Sequence, residues 1–282
     1  MSWYFVSDLH GDEERCRKLA DALLDAPPAA LLVGGDLLPG LAARRPPQSP
    51  AGEFLGGFFL PLLARLARSL GDRRPEILLI PGNDDPRCLE PALLEATARG
   101  TLRYLQNRKW TVGGHPVFGY GCIPPSPFPA KDWERYDVSH TVDPGCVPPG
   151  EEGPSGEREG GDVTIAEELD RLTGAEDLGQ AVMLFHAPPY QTLLDRAALE
   201  GQRIDHVPLD PHVGSIAIRR LIERRQPLLT LHGHVHESAA LTGAWRDRIG
   251  RTVMLSAAHD GPELALVEFD PGDPSGAVRH LL

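Results

Sequence analysis

Short apolar runs recur along the chain, and each of them stops at a glycine or at a polar residue. Runs of this length predict buried strands, and the first three fall at residues 3–6, 29–33 and 76–80. Leucines at helical spacing lie between and after these runs, and they predict helices over residues 12–24, 55–70 and 91–98. Because strands and helices alternate, this part of the chain indicates an α/β sheet.

The rest of the chain mixes hairpin signals with further strands and helices. Two apolar pairs on either side of Gly113-Gly114 predict a hairpin over residues 111–118. After it, the pattern predicts helices over residues 163–172 and 215–225, and strands over residues 181–185, 228–231, 253–255 and 264–269. We therefore expect a single domain over residues 1–282.

Glycine and proline are concentrated in an excursion at about residues 120–162. Within it, residues 145–161 carry almost nothing apolar, and such a segment has little surface to bury. We expect this segment to be a mobile surface loop. The polar and aromatic residues 131–136 are expected to form either part of a lid over a substrate or an exposed loop. Arg44-Arg45 is either an anion-steering pair or an ordinary flexible surface.

Composition narrows the class of function. With 28 Lys and Arg against 40 Asp and Glu, the net charge of −12 argues against binding of long nucleic acid, which needs clustered positive charge. A small phosphate ester remains compatible, because a bound metal ion supplies positive charge locally. The four cysteines are scattered and include no Cys-x-x-Cys pair, so the sequence indicates neither a thiolate zinc site nor a redox motif. A reducing compartment is the default expectation. The apolar stretch 54–67 is short for a bilayer span and contains Arg65, so a buried helix is expected. We expect a cytoplasmic protein with no membrane partner.

Side chains that can bind metal ions follow five of the predicted strands. They are Asp8, His10, Asp36, Asn83, His186, His234 and His236. Residues just past the carboxyl ends of strands converge on one edge of an α/β sheet, where such folds place their sites. Oxygen and imidazole donors without a thiolate suit Mn, Fe, Co, Ni or Zn. We expect two divalent metal ions, with manganese as the expected metal.

Each of these motifs, taken alone, has an ordinary structural interpretation. Asp36 after two glycines could cap the next helix, and Gly82-Asn83-Asp84-Asp85 makes a good turn. A single histidine after a strand, such as His186, is usually a hydrogen-bonded core residue. Five strand ends that each offer a ligand are hard to attribute to coincidence. His232 is expected to be structural, and His259 is expected in a late loop.

The motifs Asp8-Leu9-His10, Gly35-Asp36, Gly82-Asn83-Asp84, His186 and Gly233-His234-Val235-His236 resemble those of the calcineurin-like metallophosphoesterases. The segments 186–190, 212–215 and 237–238 are most similar to those of the small prokaryotic Icc-related phosphoesterases. The resemblance implies a four-layer α/β/β/α sandwich of two mixed sheets, the metallophosphoesterase fold, with a dinuclear metal site.

The resemblance also implies how the ligands divide. Metal one would take Asp8, His10, Asp36 and His236. Metal two would take Asp36, Asn83, His186 and His234, so that Asp36 bridges the pair, and Asn83 would also contact the substrate. Two such ions can clamp the attacking and leaving oxygens, and a water molecule between them loses a proton and attacks phosphorus.

The third motif departs from the family pattern, because Asp84 stands where the family usually has histidine. That histidine is thought to help the leaving group depart. An ionised carboxylate would instead repel a phosphate unless its surroundings kept it protonated. Asp84 is therefore an open candidate for the catalytic acid. His212 is a second candidate donor, and a surface histidine in a loop is the alternative.

These observations predict a cytoplasmic, metal-dependent phosphoesterase for small phosphate esters, with phosphodiesters preferred over monoesters. The alternative is a metal-binding scaffold of the same fold with little turnover, and Asp84 keeps that alternative open. A nuclease is disfavoured by the charge and by the lack of a basic or aromatic groove in the sequence.

Overall fold

The computed structural model describes residues 1–40, 50–126, 131–149, 163–204 and 206–282. The helices in these ranges are α1 (Glu13–Asp25), α2 (Pro50–Glu53), α3 (Leu60–Leu70), α4 (Glu90–Ala98), α5 (Ile165–Thr173), α6 (Ile216–Arg225) and α7 (Ser238–Thr242). A π-helical segment, Phe54–Phe59, joins α2 to α3. The helix predicted over residues 55–70 thus begins earlier than expected.

The strands lie in two large sheets and one small hairpin. They are β1 (Trp3–Val6), β2 (Ala30–Val33), β3 (Glu76–Leu79), β4 (Arg103–Tyr104), β5 (Arg108–Val112), β6 (His115–Tyr120), β7 (Val182–Phe185), β8 (Arg203–Ile204), β9 (Val207–Pro208), β10 (Leu229–His232), β11 (Arg246–Ile249), β12 (Thr252–Ser256), β13 (Ala265–Asp270) and β14 (Asp273–Leu281).

Both large sheets have a parallel centre, with antiparallel strands at one side of the first sheet and at both edges of the second. The first has the order β14-β13-β1-β2-β3-β4, and β1 to β4 run parallel. The second has the order β11-β12-β10-β7-β6-β5, in which β6, β7, β10 and β12 run parallel. The small hairpin pairs β8 with β9. Parallel strands end at a common edge, so both sheets present their carboxyl ends as places for a site.

Alternating side chains divide the buried residues between two cores. Trp3 and Phe5 of β1 pack in one apolar cluster with Val182 and Leu184 of β7, and this cluster lies between the sheets. The intervening residues of the strands pack in another cluster with the helices. Since side chains alternate across a strand, each sheet therefore faces the other sheet on one side and helices on the other. The predicted α/β/β/α fold with two mixed sheets is confirmed.

One helical stretch, Pro50–Arg73, is long and apolar enough to cross a membrane when judged by length and composition alone. Its leucines at 62, 63 and 66 are buried in the helix-facing core, while Gly56 and Arg65 are exposed. The stretch is thus an amphipathic helix with one face packed against the protein, as the sequence predicted.

The described part of the Gly/Pro-rich excursion is largely buried at residues 121–126 and 131–134, whereas residues 139–148 are mostly exposed. Lys131, Trp133 and Glu134 are each less than a tenth exposed. Lys131 pairs with Glu134 and donates to the carbonyl oxygen of Ser126 at 2.6 Å. The expectation of an exposed loop at residues 131–136 is therefore wrong. Residues 150–161 of the segment expected to be mobile lie outside the described residues, and so does Arg44-Arg45.

Candidate metal centre

The turns that carry the predicted ligands have an unusual backbone. Asp8, His10, Asp36 and His234 all have left-handed φ angles, of 58°, 47°, 49° and 72°. A residue with a Cβ atom pays about 1–2 kcal/mol for this conformation, so four such residues in one place indicate a local constraint. Each lies just past the end of β1, β2 or β10, where a sharp turn brings the side chain back over the sheet edge.

Two glycines allow these turns to approach one another. A Cβ atom on Gly82 would lie 2.2 Å from Oδ1 of Asp36, and one on Gly233 would lie 2.6 Å from Oδ2 of Asp8. No side chain could be placed at such distances. The glycines beside the predicted ligands therefore serve close packing of the ligand turns.

The first group of predicted ligands comes together as expected. Asp8, His10, Asp36 and His236 offer ligand atoms that all lie within 4.8 Å of one another. Nε2 of His236 lies 3.2 Å from Oδ1 of Asp8, and it lies 3.1 Å from Nε2 of His10. Two carboxylates and two imidazoles that face a common point form a donor set that could hold one divalent ion.

The second group surrounds the other side of Asp36. Nε2 of His186 lies 3.4 Å from Oδ2 of Asp36 and 3.1 Å from Oδ1 of Asn83. The ring of His234 lies 5.2 Å from the ring of His186, between centroids. The same Oδ2 atom of Asp36 lies 3.8 Å from Nε2 of His10. One carboxylate thus borders both groups.

Hydrogen bonds orient two of the imidazoles. Nδ1 of His186 lies 2.8 Å from the carbonyl oxygen of Gly34, so this nitrogen carries the hydrogen and Nε2 faces the carboxylate of Asp36. Nδ1 of His10 similarly lies 3.3 Å from Oδ2 of Asp84. Metal-binding histidines are commonly held in this way, with one nitrogen donating to an oxygen and the other free for the metal.

Charge explains the protonation of the cluster. Burial alone would lower the pKa of His10, but the neighbouring carboxylates, foremost Asp84, outweigh it and raise that pKa to about 9. At His186, burial is likewise outweighed, by Asp36 above all, and the pKa is raised to about 9. Burial and the charge of His186 lower the pKa of His234 to about 3.

The two carboxylates show the reciprocal effect. Burial alone would raise the pKa of Asp8 and of Asp36, but the adjacent imidazoles lower both of them below the ordinary value. Protons on the histidines therefore balance two buried negative charges. A divalent ion can take the place of such protons, since metal ligands must be deprotonated. The residues fit a metal-binding role.

Asp84 contacts the predicted ligands by two routes. Its carboxylate holds His10, and its backbone N–H donates to Oδ1 of Asp36 at 2.8 Å. Gly40 leaves room for the carboxylate, since a Cβ there would lie 2.6 Å from Oδ2 of Asp84. This placement makes Asp84 a partner of a predicted ligand.

Asp85 was not among the predicted site residues, yet it organises the same turns. It is 4% exposed and accepts hydrogen bonds from the backbone N–H groups of Leu38 and Gly82, at 2.8 and 2.9 Å. Burial and then the charge of Asp36 raise its pKa to about 7. The only signal for it in the sequence is its position in the Gly82–Asp85 turn.

Arg15 was also missed. Its guanidinium group donates to the carbonyl oxygens of Asp8 at 3.0 Å and Gly261 at 2.5 Å. It therefore ties helix α1 to the first ligand turn and to the loop before β13. The sequence does not predict such a contact, because an arginine on a helix is usually expected to face solvent.

The other predicted histidines have different surroundings. His212 lies beside Asp195, with Nδ1 2.8 Å from Oδ1 of that buried carboxylate. His232 is buried between the carbonyl oxygen of Ala187 and the hydroxyl of Thr230, as its expected structural role requires. His259 pairs with Glu263 at 3.0 Å. Of the two candidates for the catalytic acid, Asp84 therefore touches the predicted ligands, whereas the described contacts of His212 lie elsewhere.

Comparison with known proteins supports this picture. The family model for the calcineurin-like phosphoesterases matches residues 1–238. None of the curated proteins is significantly similar to the chain in sequence. Among solved structures, the chain is similar to the protein TT1561 of Thermus thermophilus, with a TM-score of 0.57, 17% identity, and coverage of 99% of this chain and 98% of that chain.

Two further structures share the fold. A dimetal phosphatase from Danio rerio has a TM-score of 0.54 and 11% identity, with coverage of 95% of this chain and 92% of that chain. A putative 5′-nucleotidase from Staphylococcus aureus has a TM-score of 0.50 and 15% identity, with coverage of 99% of this chain and 52% of that chain. At these identities the likeness concerns the fold.

Proposed function

Because the chain belongs to the calcineurin-like phosphoesterase family, we propose that it is a hydrolase that cuts small phosphodiesters with the help of two divalent metal ions. The observation that carries this proposal is the position of Asp36. Its Oδ2 atom lies 3.8 Å from Nε2 of His10 and 3.4 Å from Nε2 of His186, so one carboxylate serves two donor groups. The fold neighbour from Danio rerio, described as a dimetal phosphatase, is consistent with such a pair.

The proposal divides the seven residues between two ions. The first would be held by Asp8, His10, Asp36 and His236, and the second by Asp36, Asn83, His186 and His234. When bound, a pair of divalent ions supplies positive charge for phosphate oxygens and activates a water molecule. Manganese is our proposed metal, since oxygen donors accompany imidazole in both groups.

The chain's own residues would hold and orient the phosphate. Asp8 and Asp36, both buried, would hold the ions, and Gly34 and Asp84 fix the imidazoles of His186 and His10 through their Nδ1 atoms. The amide of Asn83 would add a hydrogen-bond donor for a phosphate oxygen. The positive charge of bound ions at this edge would let a protein with a net charge of −12 bind an anion.

The carboxylate of Asp84 supports a preference for diesters. A monoester carries about two negative charges at neutral pH and a diester carries one, so a carboxylate beside the phosphate repels the monoester more strongly. Asp84 lies 3.3 Å from Nδ1 of His10 and so stands at the edge of the proposed site. A diester is therefore the proposed substrate class.

The four cysteines support a cytoplasmic location as part of this proposal. No disulfide joins any of these four described cysteines, and Cys16 and Cys122 are buried. Disulfides form and persist in oxidising compartments, whereas free thiols are typical of the cytoplasm.

A metal-reconstitution screen tests the proposed function. The protein is stripped with a chelator, reloaded separately with Mn, Fe, Co, Ni or Zn, and assayed on bis(p-nitrophenyl) phosphate, a cyclic nucleotide, a dinucleotide and p-nitrophenyl phosphate. We expect hydrolysis that depends on metal and a higher kcat/KM for the diesters. No hydrolysis of any ester by protein shown to contain two metals per chain would favour the scaffold alternative.

A further inference from the structure

A large cavity lies apart from the seven predicted metal ligands. Its volume is about 460 Å³, which is within the usual size range of small-molecule pockets. One wall comes from residues 124–126 and 137–146, and the other from Tyr190 and residues 208–216. Neither wall contains any of the seven predicted ligands.

Both walls are tied to the turns of the metal centre. Tyr190 follows His186 by four residues, directly after β7. On the other side, the segment that continues from residues 124–126 donates from the N–H of Asp132 to the carbonyl oxygen of Asn83 at 2.9 Å. The N–H of Ala198 reaches Oε1 of Glu237 at 3.0 Å, next to His236. The segments that form both walls are therefore joined to the ligand turns, either directly along the chain or by these hydrogen bonds.

Hydrogen bonds orient two side chains of the cavity wall. Asp195 is fully buried and accepts from Nδ1 of His212 at 2.8 Å, which leaves Nε2 of that ring for a ligand. Tyr190 donates its hydroxyl hydrogen to Oδ2 of Asp210 at 2.5 Å. The rings of Tyr190 and His212 meet edge to face, with centroids 6.0 Å apart. These contacts hold the wall in one arrangement.

The charge of the wall is negative. Asp137, Asp143 and Asp210 line the cavity, and no lysine or arginine lines it within the described part of the chain. Asp137 is engaged with the first N–H groups of α6, at 2.6 Å for Ile216. Lys131, which lies nearby, is buried against Glu134. Arg219 donates to the carbonyl oxygen of Tyr190 at 2.9 Å, so one cation stands behind this wall. The carboxylates of Asp143 and Asp210 belong to the lining itself, and a ligand in the cavity meets their negative charge, which repels an anion and attracts a cation.

We propose that this cavity, the Tyr190–His212 pocket, binds the alcohol group that the phosphodiester keeps, and that it selects a cationic or uncharged alcohol over one with a second phosphate. An aromatic ring beside carboxylates suits an ammonium group, and a free imidazole nitrogen suits a hydroxyl. This inference rests on the proposed phosphodiesterase function, because it assigns part of the same substrate.

Four p-nitrophenyl phosphodiesters with one leaving group test the pocket. They are the methyl, choline and thymidine 5′-esters, and the thymidine 5′-ester with a 3′-phosphate. With the manganese-loaded full chain, we expect kcat/KM for the choline ester to exceed that for the methyl ester by about tenfold or more. We also expect the 3′-phosphate to lower kcat/KM of the thymidine ester by about tenfold.

Asp210→Asn removes a carboxylate at nearly constant shape and should bring the ratio of choline ester to methyl ester close to one. Asp72→Asn, which removes an exposed carboxylate in the turn after α3, is the matched control and should keep the ratio of the natural chain. An unchanged ratio in Asp210→Asn, or a preference for the 3′-phosphate, would overturn the assignment.

Calorimetric titration of the metal-free protein with the choline ester separates the pocket from the chemistry, since we expect no ester to be cut. If Asp72→Asn binds the choline ester and Asp210→Asn does not, the result supports the pocket. If the metal-loaded protein then hydrolyses no substrate, the proposed function is wrong but the pocket assignment stands. If all esters are hydrolysed with equal kcat/KM and calorimetry detects no binding, the proposed function is supported and the pocket assignment is wrong.

Discussion

The carboxylate of Asp84 contacts Nδ1 of His10, while Nε2 of the same ring points to Asp36 and His236. A histidine in place of Asp84 could not accept a hydrogen from His10 unless it were neutral and correctly oriented. The departure from the family motif therefore has a local use. It supplies the oxygen that holds one proposed ligand in position.

The first prediction concerns this contact. Asp84→Ala should weaken binding of the first manganese ion by about 10–100-fold, because His10 loses its orienting partner. Asp84→Asn keeps an acceptor oxygen, so its Kd for manganese should lie between those of Asp84→Ala and the natural chain. Titration calorimetry at fixed pH gives the Kd values, with Asp21→Ala on the exposed face of α1 as the control. Equal Kd values for Asp84→Ala and the natural chain would show that Asp84 does not orient His10 for metal binding.

The second prediction concerns the shared carboxylate. Asp36→Asn should lose most bound metal and the hydrolytic activity, since an amide cannot neutralise two dications that both lie beside it. Elemental analysis after gel filtration measures metals per chain, and Asp21→Asn provides the same change on the surface. Two metals per chain retained in Asp36→Asn would contradict the bridging assignment.

At the scale of elements, the ligand turns and the long helix place opposite demands on glycine. A Cβ atom on Gly82 would lie 2.4 Å from the backbone nitrogen of Asp36, whereas one on Gly56 would meet nothing within 4 Å. The turn before Asn83 therefore requires glycine at position 82, whereas the helical segment has room for a side chain at position 56.

The third prediction follows from this contrast. Gly82→Ala should lower the free energy of unfolding by about 1–3 kcal/mol, because the turn must move. Gly56→Ala should raise it by about 0.4–1 kcal/mol, since alanine restricts the unfolded chain and fits the helix. Urea unfolding monitored by circular dichroism gives both values. A similar change of the same sign in both variants would be inconsistent with the packing described.

The fourth prediction concerns pH and helix α1. Burial, followed by Asp12 and Glu13, raises the pKa of Cys16 from 9.0 to about 12. The unfolded thiol therefore ionises first, so the stability it contributes is present below pH 9 and is lost as pH rises toward 12. The loss should be about 1.4 kcal/mol between pH 8 and pH 10.

Urea unfolding at these two pH values checks the fourth prediction. Cys16→Ala should show a smaller decrease than the natural chain, although alanine lowers stability at both pH values by leaving a small cavity. The same decrease in both proteins would show that Cys16 does not control the alkaline loss.

Regular patterns made most elements predictable. The run predicted at residues 3–6 is β1, and the helix predicted over residues 215–225 is α6 with its cap at Ser215. The strands that were missed are edges, where one side faces water. β11 reads Arg-Asp-Arg-Ile, and β14 contains Pro274 and Gly276, so neither has the apolar run of a central strand.

The clustering of the proposed ligands was predictable because they follow strands, whereas contacts between side chains that are distant in the sequence were not. Asp85, Arg15 and the buried pair of Lys131 and Glu134 all act on partners that the local sequence does not indicate. A charged residue is usually exposed, so its burial depends on a partner from the folded chain. For this reason the burial of residues 131–134 could not be predicted from the sequence.

At the scale of the whole molecule, the candidate metal centre joins the two large sheets. Asp8, Asp36 and Asn83 follow strands of the first sheet, whereas His186, His234 and His236 follow strands of the second. Ions held between these turns would connect both halves of the sandwich, and unfolding of either half would release them.

The fifth prediction is that metal stabilises the entire fold. A ligand that binds only the folded state at 1,000 times its Kd contributes about 4 kcal/mol. Manganese added to chelator-treated protein should therefore raise Tm by several degrees in one cooperative transition, measured by scanning calorimetry. Asp36→Asn should lose this increment. A Tm that is the same with and without manganese would show that the ions do not bridge the sheets.

The position of β1 bears on the order in which the protein can form during synthesis. This strand is made before the other strands described, yet its neighbour β13 comes from residues 265–270, and His236, which contacts Asp8, comes more than two hundred residues later. At about 5–20 residues per second, Asp8 waits more than ten seconds for these partners. Uptake of both metal ions would thus require synthesis as far as His236, and a chain that stops before His186 would carry only Asp8, His10, Asp36 and Asn83.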